Sequence, residues 1–322
     1  MSQISGQVLP GSQPGDRADL ARSLVTLTKP GIVRLVAVTA MVGFTLSALG
    51  RDWSLGGLLL AVVSCLIGTS LAAAGANAAN QAMEADRDAL MPRTQDRPVP
   101  SGRVSRRAAM VFGLGLIAAG AIVLLVGASL AAAVVALLSA ASYLAIYTPS
   151  KSRTPASTVI GAVPGALPPV IGWTAAAAAS QGAGWSELAD TGAWALFAIM
   201  FVWQVPHFMA IAWKYRGEYA RGGFKVLPTI DPTGRRTSRS AIVWSVALLP
   251  AAWLVTLSMP RLVSPVSALL GSAAAVAMIW ASVRLARELN DAAARRLFFV
   301  SIAYLPAVLF LFVGDALATT LR

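Results

Sequence analysis

The chain has 322 residues, of which 57% are hydrophobic and only 12% charged, with a mean hydropathy of +0.68. About a quarter of the residues in a soluble domain are charged, so this composition excludes an ordinary soluble protein and marks a polytopic membrane protein. The net charge of +12 has no soluble face to occupy, which assigns it to membrane topology and argues against nucleic acid as a partner.

Residues 1–24 contain Ser, Gly, Pro and Gln, with no apolar core and no small-residue cleavage site. They read as a flexible cytoplasmic tail without a secretory signal. Residues 25–322 read as a single transmembrane domain. Nine apolar segments there reach the roughly 17–25 residues that cross a bilayer as a helix. They run from roughly 32 to 50, 55 to 80, 108 to 127, 129 to 147, 157 to 179, 191 to 213, 241 to 259, 264 to 285 and 296 to 316. The third and fourth are separated by little more than Gly127 and Ala128, which predicts a tight helical hairpin. Cys65 is the single cysteine and His207 the single histidine, so neither an intramolecular disulfide nor a Cys/His metal cluster is expected.

Basic residues fall unevenly on the two sides of these spans. The tail and the loops after spans 2, 4, 6 and 8 carry 23 of the 26 Lys and Arg, and the opposite side carries only Arg51, Arg261 and Arg322. Such an imbalance predicts an N-terminus inside, a C-terminus outside and every charge-rich loop on the cytoplasmic face.

Past the second span, residues 76–107 gather four carboxylates and six arginines. Asn80, Glu84 and Asp88 are spaced i, i+4, i+8; on a helix they lie within roughly 80° of one another over about 12 Å of axis. A row of oxygen donors suits a hard cation such as Mg²⁺, which takes one or two carboxylates and completes its shell with water and phosphate oxygens. Arg87, Arg93 and Arg97 follow, in reach of a diphosphate through bidentate hydrogen bonds. The pattern points to a metal-bridged diphosphate, against the plainer reading of a charged loop whose acids balance its bases.

A short basic loop follows the fourth span, with Tyr147, Thr148, Lys151, Arg153 and Thr154. The fifth span contains GAVPGALPPVIGW from Gly161, where three prolines and the glycines predict a bent helix facing protein or a cavity. In the sixth span Gln204 and His207 flank Pro206 inside an apolar run, and Lys214, Arg216, Glu218, Tyr219, Arg221 and Lys225 come after it. An intramembrane His serves as a packing contact, an iron ligand or a proton-transfer group.

Together these residues carry a resemblance. The run Asn80, Glu84, Asp88, Met91, Arg93, Thr94, Arg97 and Pro98, with Trp203, Gln204, Pro206, His207 and Phe208, with the stretch Gly165 to Gly172 and with the opening Thr28-Lys29-Pro30, closely resembles the protohaem IX farnesyltransferase (haem O synthase) family. That family is a branch of the intramembrane prenyltransferase superfamily, and the first motif alone indicates only the superfamily. The resemblance runs from about residue 25 to the end.

It implies an all-α bundle of nine transmembrane helices around a central cavity that opens to lipid; the short tail, without an Arg-rich amphipathic presequence, points to the inner membrane of a bacterial cell. The resemblance also implies a Mg²⁺-dependent reaction in which diphosphate leaves farnesyl diphosphate, the allylic carbon joins a vinyl group of haem b, and water supplies the hydroxyl of haem O. On this resemblance Asn80, Glu84 and Asp88 hold the metal, and Glu218 belongs to a second catalytic acidic motif. Arg93, Arg97, Lys151 and Arg153 clamp the diphosphate, while His207, with Gln204 as a companion, meets the haem through iron or a propionate. The implied partners are farnesyl diphosphate, haem b and the lipid bilayer, with contact to a haem A synthase or terminal oxidase assembly also envisaged.

Two departures stand out. Similar proteins commonly read Asp-Asp-Tyr where this chain has Gly217, Glu218 and Tyr219, one acid fewer, and Ser152 and Ser157 stand where related chains often have Arg and Asn. The nearest alternative is the same fold with an aromatic acceptor such as a quinone or chlorophyll precursor. A secondary transporter is a further alternative, although its polar groups belong at the bilayer midplane and here they cluster toward one face.

Overall fold

Inside a bilayer the backbone has no water to bond, so apolar segments of this length satisfy their N–H and C=O groups internally as helices. The computed structural model describes residues 14–321 and is helical, with no strand among those residues. In chain order the helices are α1 (Pro14–Thr28), α2 (Pro30–Ala48), α3 (Leu55–Asp88), α4 (Arg106–Gly127), α5 (Leu130–Ala141), α6 (Thr148–Ser150), α7 (Ser157–Ala166) and α8 (Pro168–Ala175). There follow α9 (Trp185–Ala189), α10 (Thr191–Lys214), α11 (Arg216–Arg221), α12 (Arg235–Val246), α13 (Leu248–Ser258), α14 (Pro265–Glu288) and α15 (Asp291–Thr320).

Nine stretches of the described residues are long and apolar enough to cross a membrane, as the sequence predicts. Three are composite. The fourth, Leu130–Ser150, joins α5 to α6 through a π-helical segment, Ser142–Tyr147. The fifth breaks at Leu167 between α7 and α8, where Pro168 and Pro169 withhold backbone donors, so the expected bend is present. The seventh joins α12 to α13. Among the ends, the second matters most: α3 runs unbroken to Asp88, so the whole Asn80, Glu84, Asp88 stripe lies on one helix.

The tail differs from the expectation. Residues 1–13 lie outside the described residues, but Pro14–Thr28 forms α1 instead of continuing a flexible tail to residue 24. Tertiary contact explains this. Leu27 is fully buried against Ala78 and Ala82 of α3, and the Gln81 side-chain amide donates to the Leu27 carbonyl at 2.8 Å. The chain then breaks at Lys29, whose φ of 51° and ψ of 68° are left-handed, because the following Pro30 disfavours the right-handed helical region for its neighbour. Asn77 of α3 donates to the exposed carbonyl of Thr28 at 3.3 Å.

Small residues set how closely the helices approach. Gly75 faces Gly113 and Gly68 faces Gly120 across the α3/α4 contact; a Cβ on Gly75 would lie 2.3 Å from the Gly113 carbonyl oxygen. Backbone contact of this kind replaces the hydrophobic drive that helices lack in lipid. The α2/α8 crossing is as close: a Cβ on Gly172 would lie 1.7 Å from the Ala40 carbonyl oxygen. On α10, Leu196, Ile199, Met200 and Trp203 are buried in the main core.

Candidate active site

The polar stripe sits where α3 leaves the apolar bundle, and each member is met by a base or hydroxyl from another segment. Asn80 Oδ1 accepts from Lys29 Nζ at 3.3 Å, and Asn80 Nδ2 donates to the Thr148 hydroxyl at 3.0 Å. Glu84 is contacted by Lys151 Nζ, 2.8 Å from Oε1 and 3.0 Å from Oε2. Asp88 accepts from Arg97 Nη1 at 2.7 Å. All three stripe residues are buried, with residue exposures of 1%, 6% and 1%.

Local structure explains each arrival. Lys29 comes from the left-handed break between α1 and α2. Thr148 and Lys151 follow the π-helical segment, a form that recurs at functional sites because its extra residue re-aims the side chains around it. Arg97 comes from the loop 89–105, which folds back over α3: the Thr94 hydroxyl donates to the Asp88 carbonyl at 2.8 Å, and Met91 packs with Ala212, Phe224 and Val226. The loop after α11 closes the other side. Its Lys225 N–H donates to the Lys151 carbonyl at 2.7 Å, and Arg87 donates to the carbonyls of Gly222 and Gly223 at 3.1 and 3.2 Å.

The electrostatics show the crowding of cations. Burial, with Arg97 and Lys151 nearby, pulls the Lys29 ammonium from 10.5 to about 7. For Lys151 burial also pulls downward, but the Glu84 carboxylate beside it outweighs that, and its pKa stays above the ordinary lysine value.

Beneath the cluster, between α2, α3, α5, α7 and α8, lies a cavity of about 270 Å³. Its walls are mainly apolar, with Tyr143 and Tyr147 from the π-helical segment among them. Lys151 Nζ stands 4.6 Å from the centre of the Tyr147 ring, so this residue joins the charged cluster to the apolar cavity. The arrangement offers a pocket for an apolar chain and, at its charged end, cations for an anionic head group.

Other predicted residues are distributed around this centre. Glu218 accepts from the Arg93 backbone N–H at 3.3 Å and stands 4.0 Å from its guanidinium, which lies over the Tyr215 ring at 4.9 Å. This pair forms the rim. Arg153 is exposed, and among the described residues its side chain has no partner in the cluster. Gln204 and His207 part company: Gln204 lines the cavity and donates to the Met200 carbonyl at 3.0 Å, whereas His207 packs toward α15, 2.7 Å from the Ser301 hydroxyl. Lys29 and Thr148 join the site through contacts with Asn80 that no local pattern in the sequence marks. The Lys-Pro pair ahead of a span was the one signal for the first; the second read as loop.

Among the described residues no three His, Cys, Asp or Glu side chains converge as a metal cluster. Asn80, Glu84 and Asp88 together still present the amide and carboxylate oxygens that a hard cation takes. Glu84 Oε1 is buried and accepts no well-directed hydrogen bond despite the nearby ammonium, which leaves a lone pair for a metal. The donor set therefore fits Mg²⁺.

Comparison with known proteins agrees with this architecture. A model of the UbiA prenyltransferase family matches residues 36–303. The chain is 38% identical over 292 residues to a protein named Protoheme IX farnesyltransferase from Solibacter usitatus (strain Ellin6076), covering 89% of this chain and 96% of the relative. A solved structure of digeranylgeranylglyceryl phosphate synthase superposes with a TM-score of 0.71 at 16% identity, over 93% of this chain and 99% of its own. A UbiA homologue from Archaeoglobus fulgidus, solved bound to DMAPP and Mg²⁺, gives 0.58 at 15% identity, over 92% of this chain and 99% of its own. These last two likenesses are of fold.

Proposed function

Because the chain belongs to the UbiA prenyltransferase family, we propose that it transfers the farnesyl group of farnesyl diphosphate to a vinyl group of haem b, giving haem O and diphosphate. The protein is a multi-pass membrane prenyltransferase. The observation that carries the reading is the stripe of Asn80, Glu84 and Asp88, buried and base-paired, directly beside an apolar cavity.

Asn80, Glu84 and Asp88 would hold Mg²⁺, which when bound supplies positive charge against the departing diphosphate. The chain's own cations do the rest of that work. Lys151, Arg97 and Lys29 stand within hydrogen-bonding distance of the stripe, and a diphosphate entering beside them exchanges carboxylate for phosphate oxygens. Arg93, beside Glu218, adds a further cation. Fixed donors aimed at developing negative charge lower the barrier to C–O cleavage. Meanwhile the apolar cavity walls keep water from the allylic carbon until the vinyl group attacks it. The new C–C bond leaves the positive charge on the former vinyl carbon next to the macrocycle; water adds there and loses a proton, so the product is a hydroxyethylfarnesyl haem.

The imbalance of basic residues, 23 against 3, supports a cytoplasmic position for the charged end of the bundle, from which a charged soluble diphosphate would enter. The deciding experiment supplies purified protein in detergent with haem b, farnesyl diphosphate and Mg²⁺, with separation of pigments and mass measurement. A farnesylated, hydrated haem that disappears with EDTA is expected. Prenylation of a quinone precursor with no haem product would retain the family and replace the acceptor.

A further inference from the structure

The sixth and ninth spans run in opposite directions, so the end of α10 and the start of α15 lie together at the charge-rich end of the bundle. Lys214 is the last residue of α10, and Arg295 stands in the second turn of α15. One turn deeper on the same helical faces, three and four residues away, come Ala210 and Ile211 on α10 and Phe298 and Phe299 on α15. These six residues line most of a groove of about 450 Å³. Ala210 and Ala294 are buried and small, which makes them its floor, while Phe299 is an exposed wall.

The groove's mouth is cationic and uncompensated. No carboxylate lines it, and the acids nearby in the chain are engaged, Asp291 with Arg216 at 2.8 Å and Glu288 with Arg284 and Arg296 at 2.5 and 3.3 Å. Among the described residues neither Lys214 nor Arg295 is paired with an acid. A second observation points to a missing anion. Tyr215, which also lines the groove, has two cations near its ring, Lys214 Nζ at 5.0 Å and the Arg93 guanidinium at 4.9 Å from its centre. Like charges drawn to one ring repel each other. Glu218 stands 4.0 Å from Arg93 and offsets its charge; Lys214 lacks such a partner.

An apolar groove that faces lipid takes up an acyl chain whatever the head group, so the two bases at its mouth decide which head group is held. We propose that this groove binds an anionic glycerophospholipid of the adjacent leaflet, its phosphate on Lys214 and Arg295 and an acyl chain along Ile211, Phe298 and Phe299. A phospholipid carries its phosphate at the boundary between polar and apolar layers. Basic side chains at span ends reach that same level, with their stems along apolar surface, and basic pockets between spans recognise anionic head groups in this way. Lipid selection at this groove is independent of which acceptor the enzyme prenylates.

Native mass spectrometry of the purified protein, with phosphatidylglycerol or phosphatidylcholine of matched chains added in detergent, reads this selection. Wild type should hold phosphatidylglycerol about thirtyfold more tightly, the factor that two basic side chains supply at a membrane surface. Lys214→Gln/Arg295→Gln should bind the two lipids alike. Arg235→Gln/Arg236→Gln, which removes equal charge from the start of α12 outside the groove, should keep the preference. All four bases are exposed, so neither variant disturbs the buried core. Phe299→Ser should weaken both lipids to the same degree. Equal affinity for the two lipids in wild type, or a preference that survives in Lys214→Gln/Arg295→Gln, would overturn the proposal. So would a preference lost equally in Arg235→Gln/Arg236→Gln, which would trace it to overall charge, or displacement of the lipid by glycerol 3-phosphate, which would make the occupant a soluble phosphate.

Discussion

Substitution of Lys151 by Gln separates the ground-state role of this site from its chemistry. Lys151 Nζ lies 2.8 and 3.0 Å from the two Glu84 oxygens, with side-chain exposures of 13% and 7%. Removing one partner of a buried pair typically costs about 3–5 kcal/mol, since the other charge is left without compensation. Here Lys29 and Arg97 stand close to the stripe and soften that loss, which points to about 3 kcal/mol. At about 2–4 °C per kcal/mol for a large domain, the unfolding midpoint should fall by about 6–12 °C. Tryptophan fluorescence during thermal unfolding in detergent reads this directly. The double variant Lys151→Gln/Glu84→Gln should regain more than half of the loss, and millimolar Mg²⁺ should raise the midpoint of Lys151→Gln more than that of the double variant. Additive single effects, with a coupling below about 0.5 kcal/mol, would refute the idea that the pair neutralises a buried carboxylate.

Three further outcomes are expected. With its pKa drawn down to about 7 from 10.5, Lys29 is mostly the neutral amine above that pH, so acylation of Lys29 followed by peptide mass mapping should rise steeply through pH 7 and level near pH 8; labelling that keeps climbing to pH 10 would contradict the shift. Gly113→Ala should lower the unfolding midpoint by an amount equivalent to about 1–3 kcal/mol, because its Cβ would lie 2.7 Å from Ala79 N and the Gly75 oxygen, while Gly115→Ala, which meets nothing within 4 Å, should not lower it. Burial raises the Asp231 pKa, but hydrogen bonds from the Thr237 backbone and hydroxyl outweigh it and hold the pKa below the ordinary value. A depressed carboxyl stabilises the fold above its unfolded pKa of about 3.9 and loses that contribution as pH falls through the lower folded value. Asp231→Asn should therefore lower the midpoint at neutral pH by the equivalent of about 1 kcal/mol, with a smaller difference from wild type in acid.

The sequence exposes those features of the protein that depend on local period. A span needs about 20 apolar residues, so the nine crossings are legible within a few residues at most ends. The stripe is legible because i, i+4, i+8 is a helical period. What escapes is set by distant contact. Lys29 meets Asn80 across 51 positions, and nothing near Lys29 names that partner. The segment SYLAIY, which winds as a π-helix and sets Tyr143 and Tyr147 in the cavity wall, carries no signature distinguishing π from α winding. The α1 helix depends on Leu27 finding Ala78 and Ala82. Gln204 and His207, three residues apart, lie only about 60° apart around a helix, yet α7 and α15 flank that arc and divide it. One faces the Ala162 carbonyl and the other Ser301.

The pairing pattern bears on how such a site survives without substrate. Asn80, Glu84 and Asp88 draw their partners from three separate segments, the α1/α2 break, the turn after α6 and the loop 89–105. Each acid is neutralised in place, so the stripe can be buried without the several kcal/mol that an isolated charge would cost. On the proposed chemistry, a metal diphosphate substitutes for both halves of these pairs: the cation takes the acids and the phosphate oxygens take Lys151, Arg97 and Lys29. Neither half alone makes that exchange without stranding a buried charge, since diphosphate alone would leave the acids bare and metal alone would leave the bases bare. Metal and diphosphate must therefore favour each other's binding, and by linkage to the same extent in both directions.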